Sequence, residues 1–527
     1  MKKKIPALMA ASAIISAASV ASANTPPFFT PLTQSAPVVA ANGAEEMNAP
    51  WVTPAGVGQV NLTSMNEIEG DPAQSVGRAP GAGTSASMWD MVAYDVTGRF
   101  LFIPHESPFG AGVSRYDSET DETQLLFAGN NAGANGDWAN DYAAFDPATF
   151  TPMCTVLAGE GWSGEGRLLE ILNPYAKVGV SPVLVRELTT IANVAHEGLR
   201  FSNDGKSLYY VDEWNSGSIY KFVMTSAGDL SKGQTFVLAV DAFAGDPAAD
   251  YNQQPAGTVR TGLATWVPIT NSNGVKLTAV DPYRNGPTDD PRTSTVTRGG
   301  RPAADEVNGT PYGRPEDMEI ATLSNGNEVM YVAATSENAI YTIEMLPDGK
   351  ADVRVYASQI GTPKNLGFAP TTGALNSPDN LAQDAAGNIY VIEDAPNGSS
   401  TGGDIWFVRD VDNNGVAESL DHFLSVRVAG SEATGMIFDP IDATKFVVAV
   451  QHPNTTDLTA FPDGFGDALW QFDIAATAPT CAPNAPPSCL ERNTIVNQIK
   501  QAGNQQRKAT REARAKCSRA MQQQQGS

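Results

Sequence analysis

The chain has 527 residues, of which 48 are Gly, 36 are Pro and only 17% are charged, so turns are frequent and a helix-rich architecture is disfavoured. A formal net charge of -24 leaves no basic surface outside the C-terminal tail. Nucleic acid is therefore excluded as a partner, and an anionic substrate is repelled at long range unless local cations intervene.

Residues 1–23 carry the pattern of an export signal. Lys2, Lys3 and Lys4 are followed by an apolar run from Ile5 to Val20 and by Ala21-Ser22-Ala23 as a cleavage site, so the expected location is periplasmic or extracellular. No other stretch approaches the ~18 apolar residues of a spanning helix, and no membrane span is expected. Residues 24–85, rich in Ala, Pro, Gly and Ser, form an extended lead-in.

A hairpin pattern recurs between 86 and 479. From Val194 to Phe222, GLRFS runs into the turn Asn203-Asp204-Gly205, SLYYV returns, and SIYKF goes out again after Asn215-Ser216-Gly217. Glu197 stands before the first of these strands and Asp212-Glu213 after the second, so antiparallel pairing brings the carboxylates to one rim. The same arrangement recurs with Asp90 and His105-Glu106, with Glu316-Asp317 and Thr335-Ser336, with Asp379-Asn380 and Glu393-Asp394, and with Glu432 and Gln451-His452. CTVLAGE, ending at Glu160, reads as a partial copy. Repeats of ~40 to 60 residues, each a small antiparallel sheet, predict an all-β fold with a single β-propeller. Its inner strands should deliver their leading acids to one mouth of a central channel.

The pattern lapses at 242–302, an insertion or lid. A Pro-rich linker at 480–490 precedes a basic, helix-prone tail at 491–527, with eight Lys/Arg against two Glu between Glu491 and Gln524. That tail is expected as a solvated helix. Cys481 and Cys489 could close a small loop, with Cys517 joining either or staying free, and Cys154, in a strand, is expected as a buried structural thiol.

So many acids at one mouth would raise each other's pKa and oppose folding, so cations are implied, and an oxygen-rich site suits calcium. Arg314, in GRPEDMEI, offers a guanidinium that matches a phosphate bidentately, and Asn380 is a second candidate substrate contact. A separate loop places Asp410, Asp412, Asn414, the Val416 carbonyl and Asp421 at positions 1, 3, 5, 7 and 12 of an EF-hand-like pattern, a candidate peripheral calcium site. GSSTG at 398–402 and GEGWSG at 159–164 match the nucleophile-elbow and dinucleotide strings without the strand-to-helix context either requires.

The runs TPMCTVLAGE, GRLLEI, HEG followed by DG and YYVDE, RPEDMEI, SPDNLA with GNIYVIED, and SEATGMIF ending at QHP occur in the order of the PhoX-type alkaline phosphatases, which the chain resembles from Trp89 to His452. The resemblance implies six blades, calcium and iron in the channel, and hydrolysis of phosphomonoesters outside the cytoplasm. Carried over by motif, Glu160, Glu197, Glu316, Asp317, Asp379 and Glu432 would be metal ligands or their neighbours, and Arg314 would hold the phosphate. With Glu213 added as a ligand and Glu316 set beside Arg314 as a catalytic residue, these are the candidate site. Gly159 stands where iron-holding members carry a cysteine, which favours calcium over iron, and Gly161 follows Glu160 where the acid is often doubled. The expectation is a monomeric exported phosphatase acting on small phosphoesters. A calcium-dependent propeller hydrolase of lactones or phosphate di- or triesters, and a non-enzymatic calcium-stabilised binding propeller, are the alternatives.

Overall fold

Strands that are apolar on both faces set the architecture. In Ser207–Asp212, Leu208 and Tyr210 enter one core while Tyr209 and Val211 enter the next. In Glu328–Ala334, Val329, Tyr331 and Ala333 face one core, and Met330 and Val332 the other. Side chains alternate across a strand, so burial on both faces requires a sheet packed on both sides.

The computed structural model describes residues 27–38, 49–69, 87–161, 164–283, 298–394, 401–454, 464–477 and 487–526, with side chains of the last segment from 494 onward. The export signal, Cys481 with most of the Pro-rich linker, the side chain of Cys489 and the first part of GSSTG lie outside the described residues.

Six inner strands, Ala93–Tyr94, Phe145–Phe150, His196–Phe201, Pro315–Thr322, Pro378–Gln383 and Glu432–Phe438, each open a hairpin-built blade. Neighbouring inner strands touch in chain order, and Thr434 Oγ1 donates to Trp89 O at 2.8 Å where the sixth blade meets the first. Six apolar clusters lie between successive pairs of blades, including the closing pair, where Trp89, Leu101 and Ile103 meet Val447, Ala449 and Leu469. The chain thus forms a β-propeller. CTVLAGE belongs to a complete blade whose inner strand is Phe145–Phe150.

Hydrogen bonding groups the strands differently, into five sheets, one of them nine-stranded. Gly262–Pro268 pairs on one side with Gly233–Val240 and on the other with Ala351–Ser358, joining the outer edges of the third and fourth blades. That strand lies within the 242–302 segment, which ends in the helix Gly300–Glu306. The lead-in pairs with the blades: Trp51–Val52 adds an edge to the fifth blade on Ser419–Val426, and Gly58–Ser64 adds one to the sixth on Ala468–Asp473. The start of the chain therefore closes the ring at its end.

The tail also departs from the expectation. Its helices, Pro487–Ala509 and Arg511–Gly526, dock on the propeller: Val496 and Ile499 enter the core between the fifth and sixth blades, and Met521 that between the first and second. Cys517 forms a disulfide with Cys154, with Cα atoms 5.4 Å apart, so neither cysteine plays the role expected of it. Cys154 is not in a strand. It sits in the inner hairpin turn of the second blade at φ 68, where Gly98, Gly205, Gly326 and Gly387 serve other blades with positive φ. From that turn, on the end of the blade away from the acids, its sulfur meets the helix.

Candidate metal centre

Four of the inner strands begin with one ladder pair and then lose register. His196 pairs with Asp212, after which the ladder resumes only at Leu199 with Tyr210; Pro315 with Ala334, Pro378 with Glu393 and Phe145 with Glu160 are followed by the same irregularity. The first residue past the pair is an acid in every case: Asp146, Glu197, Glu316 and Asp379. Asp90 has the same place after the Trp89–His105 bridge. A bulge re-aims the side chain it frees, here toward the axis. In the sixth blade the register shifts only after three pairs, Glu432 to Thr434, and the residue past them is Gly435, with no room for a Cβ, which would stand 2.6 Å from Asp90 O.

The second strands contribute by parity. Residues in the ladder pair are tied off locally. Glu160 receives Arg167 Nε at 2.7 Å and Nη2 at 2.6 Å, Asp212 receives Arg301 Nε at 2.6 Å and Nη2 at 2.7 Å, and Glu393 accepts the Trp406 indole N–H at 2.8 Å and the backbone N–H groups of Asn376 and Asp404. One residue further, side chains turn to the other face, and Glu106, Glu213 and Asp394 join the bulge acids. In the second blade this position is Gly161, and a Cβ there would lie 1.3 Å from Asp146 Oδ2. The Asp146 carboxylate fills the place where the other blades carry a side chain.

The result is three overlapping triads whose ligand atoms lie within 4.8 Å of one another: Asp90, Glu106 and Asp146; Asp146, Glu197 and Glu213; Glu197, Glu316 and Asp379. Asp146 and Glu197 each belong to two. Burial first, then mutual repulsion, pushes Asp90, Asp146, Glu197, Asp379 and Glu432 well above the usual carboxylate range, and burial does the same to Glu316 against the opposing charge of Arg314. Arg314 stands among them. It pairs with Glu213 through Nη2, with Glu316 through Nε at 3.0 Å and with Asp394 through Nη1 at 3.8 Å, and Glu316 more than any other neighbour holds its proton. Its side chain is 36% exposed.

The donor set fits a hard cation. Among the described residues neither oxygen of Asp146 and not Oδ1 of Asp90 accepts a hydrogen bond, although all are buried, and Glu316 has only its ion pair with Arg314. A buried carboxylate without a partner is costly, and a divalent ion supplies what is lacking. All donors in the triads are oxygen. They do not fit a thiolate-held ion: Gly159 has no side chain, and a Cβ there would meet His196 Cβ at 2.5 Å.

Other sequence-predicted residues are not in the triads. Asp317 accepts Arg200 Nη2 at 3.3 Å and Leu381 N–H at 3.1 Å, and Asn380 Oδ1 accepts Gly435 N–H at 2.6 Å. Both staple one blade's bulge to the next, and only Nδ2 of Asn380 lacks a partner. Glu432 lies beside Asp394 and Asp379, with Oε2 2.9 Å from His452 Nε2. In the peripheral loop Asp410, Asp412 and Glu418 gather, but Asp421 is on the following strand and is held by Arg409 Nε at 2.9 Å and Nη2 at 2.8 Å. Asn414 Oδ1 there accepts Val416 N–H at 2.8 Å. Asp146, Arg167 and Arg301 escaped the sequence reading. The signal for Asp146 was present: Trp89-Asp90, Phe145-Asp146 and His196-Glu197 each set a ring before an acid.

These features define a β-propeller with a carboxylate-lined axis and one arginine set into it. The chain belongs to the family of alkaline phosphatase PhoX, which residues 166–454 match. It is thus a hydrolase of the alkaline phosphatase type. No curated protein matches it. Among solved structures it is similar to a luciferin-regenerating enzyme (10% identity, 79% of this chain and 95% of that one, TM-score 0.36). It is also similar to virginiamycin B lyase from Staphylococcus aureus (10%, 79% and 99%, 0.37) and to the calcium-binding protein regucalcin from Agrobacterium tumefaciens (12%, 75% and 92%, 0.32).

Proposed function

We propose that this chain is an exported, calcium-dependent phosphatase that hydrolyses small phosphomonoesters at the carboxylate-lined axis. The observation that carries the reading is the set of overlapping acid triads, in which the buried oxygens of Asp146 and Oδ1 of Asp90 accept no hydrogen bond among the described residues, with Arg314 paired to Glu316 beside them. Asp90, Glu106, Asp146, Glu197, Glu213, Glu316 and Asp379 would hold the cations, which supply Lewis-acid charge to a phosphoryl oxygen. Arg314 binds the phosphate through its planar fork and offsets charge that builds on the equatorial oxygens. Glu213, Glu316 and Asp394 orient that fork. Glu316 acts through Arg314, whose charge it holds in place. The peripheral loop at Asp410, Asp412 and Glu418 is a second calcium candidate, without Asp421.

Turnover of p-nitrophenyl phosphate by the full mature chain tests the reading. Chelation should abolish it and calcium should restore it, and Arg314→Ala should lower kcat/KM by about 10²-fold or more. Turnover indifferent to both treatments contradicts the proposal. A panel with lactones and phosphate di- and triesters separates the alternative hydrolases, and calcium-dependent melting without hydrolysis of any ester would indicate the binding propeller.

A further inference from the structure

Arg314 reaches the acid cluster from a backbone conformation that a side chain-bearing residue seldom adopts, at φ 52. Its peptide bond to Pro315 narrows the choice further. Residues 312–314 are held there from two sides. From the third blade, Trp214 O accepts Arg314 N–H at 3.1 Å and Gly217 O accepts Tyr312 N–H at 2.9 Å. From the turn after Glu328–Ala334, Thr335 N–H donates to Arg314 O and Ser336 N–H to Gly313 O, each at 3.0 Å.

The remaining amide, Gly313 N–H, donates to Glu337 Oε1 at 2.6 Å. Glu337 lies outside the acid triads and is held by its own partners. Arg260 grips both oxygens, Nη1 to Oε1 at 2.5 Å and Nη2 to Oε2 at 2.6 Å, and Tyr341 OH donates to Oε2 at 2.7 Å. Glu337 is 6% exposed and Arg260 18%. Arg260 belongs to the 242–302 segment and is itself held by Tyr312 OH, which donates to its carbonyl at 3.1 Å. A nearly buried, charge-neutralised pair thus serves one amide next to the arginine. Without Arg260, Glu337 would carry an unbalanced charge in a nearly buried position.

We propose that Glu337 and Arg260 are positioning residues for Arg314, through which the 242–302 segment sets the affinity of the site for phosphate. The inference rests on the phosphatase reading above. Glu337→Ala removes both the acceptor for Gly313 N–H and the ion pair, whereas Glu337→Gln keeps one oxygen for Gly313 N–H and Arg260 Nη1 while giving up the charge and the acceptor for Arg260 Nη2 and Tyr341 OH.

The test measures KM and kcat for p-nitrophenyl phosphate, and the inhibition constant of inorganic phosphate, in the calcium-loaded full mature chain. Glu337→Ala should raise KM and the phosphate constant roughly tenfold, the scale of one hydrogen bond to a charged group, with a smaller fall in kcat. Glu337→Gln should recover most of the loss, and Arg260→Ala should resemble Glu337→Ala. In the Arg314→Ala background, Glu337→Ala should change the phosphate constant by less than about twofold, because the two act through one contact. An equal factor in both backgrounds, or no recovery with Gln, overturns the inference. If Glu337→Ala fails to fold, Glu337→Gln and Arg260→Ala complete the cycle with Arg314→Ala by the same criterion. A wild-type chain that neither turns over the ester nor binds phosphate overturns the phosphatase reading and this inference with it; one that does both but shows additive variants overturns this inference alone.

Discussion

At Gly161 the absence of one methyl group decides where a carboxylate can sit. The axis-facing position after the second strand holds Glu106, Glu213 or Asp394 in other blades, but here Asp146 reaches across and fills it, with Oδ2 1.3 Å from where a Cβ would stand. Gly161→Ala must therefore displace the carboxylate shared by two triads. The expected cost is about 1–3 kcal/mol in calcium-loaded protein, read as a fall in Tm together with weaker calcium binding. Gly58→Ala on an outer strand, with nothing within 4 Å of the new Cβ, is the control and should change neither. Equal behaviour of the two variants would remove Asp146 from the centre. Asp146 was hidden in the sequence for a local reason: the turn after Phe145–Phe150 carries Cys154 instead of a glycine, so the blade read as incomplete. The doublets His105-Glu106, Asp212-Glu213 and Glu393-Asp394 were visible, but which member faces the axis depends on strand register. That was not legible.

The two ends of the chain act as closures. Gly58–Ser64 completes the sixth blade, pairing Gly58 with Asp473, and the helix Arg511–Gly526 is fixed by the Cys154–Cys517 disulfide across 363 residues. Constraining so long a loop in the unfolded chain is worth about 2–5 kcal/mol. Cys517→Ser should lower Tm by that equivalent in non-reducing buffer while leaving kcat and KM unchanged, because the turn at Cys154 lies at the end of the blade away from the acids. A loss of turnover at temperatures where the variant is folded would show that the tail communicates with the axis. Four of the hairpins were legible in the sequence because each turns on a glycine at positive φ, Gly98, Gly205, Gly326 and Gly387. Pairings between distant segments were not, since an edge strand such as Gly58–Ser64 carries no mark of its partner. The same holds for Gly262–Pro268, which sits inside a segment without hairpin periodicity.

Across the whole molecule, acids from separate blades converge on one axis, and this makes stability depend on pH and on cations together. Burial raises the carboxyls of Asp90, Asp146, Glu197, Glu316, Asp379 and Glu432. They keep protons that the unfolded chain loses near pH ~4, so their contribution is fully present below that value and is lost as pH rises through the raised folded values. Chelated protein should therefore melt at progressively lower temperature as pH rises above ~4. Calcium requires ionised carboxylates and replaces the protons as countercharge, so its stabilising effect should be larger at pH 8 than at pH 5. Melting curves with and without chelator at the two values measure this; a calcium shift independent of pH would contradict it.

The central claim is that acids from separate blades form shared cation sites on which turnover depends. Calorimetric titration of calcium into chelated protein, with phosphatase activity followed on the same samples, tests it most directly when wild type is set against Asp146→Asn. The account predicts more than one calcium per wild-type chain, fewer in the variant, and activity that falls with the lost ion. Equal stoichiometry in the two proteins, or full turnover before any calcium is added, would contradict it.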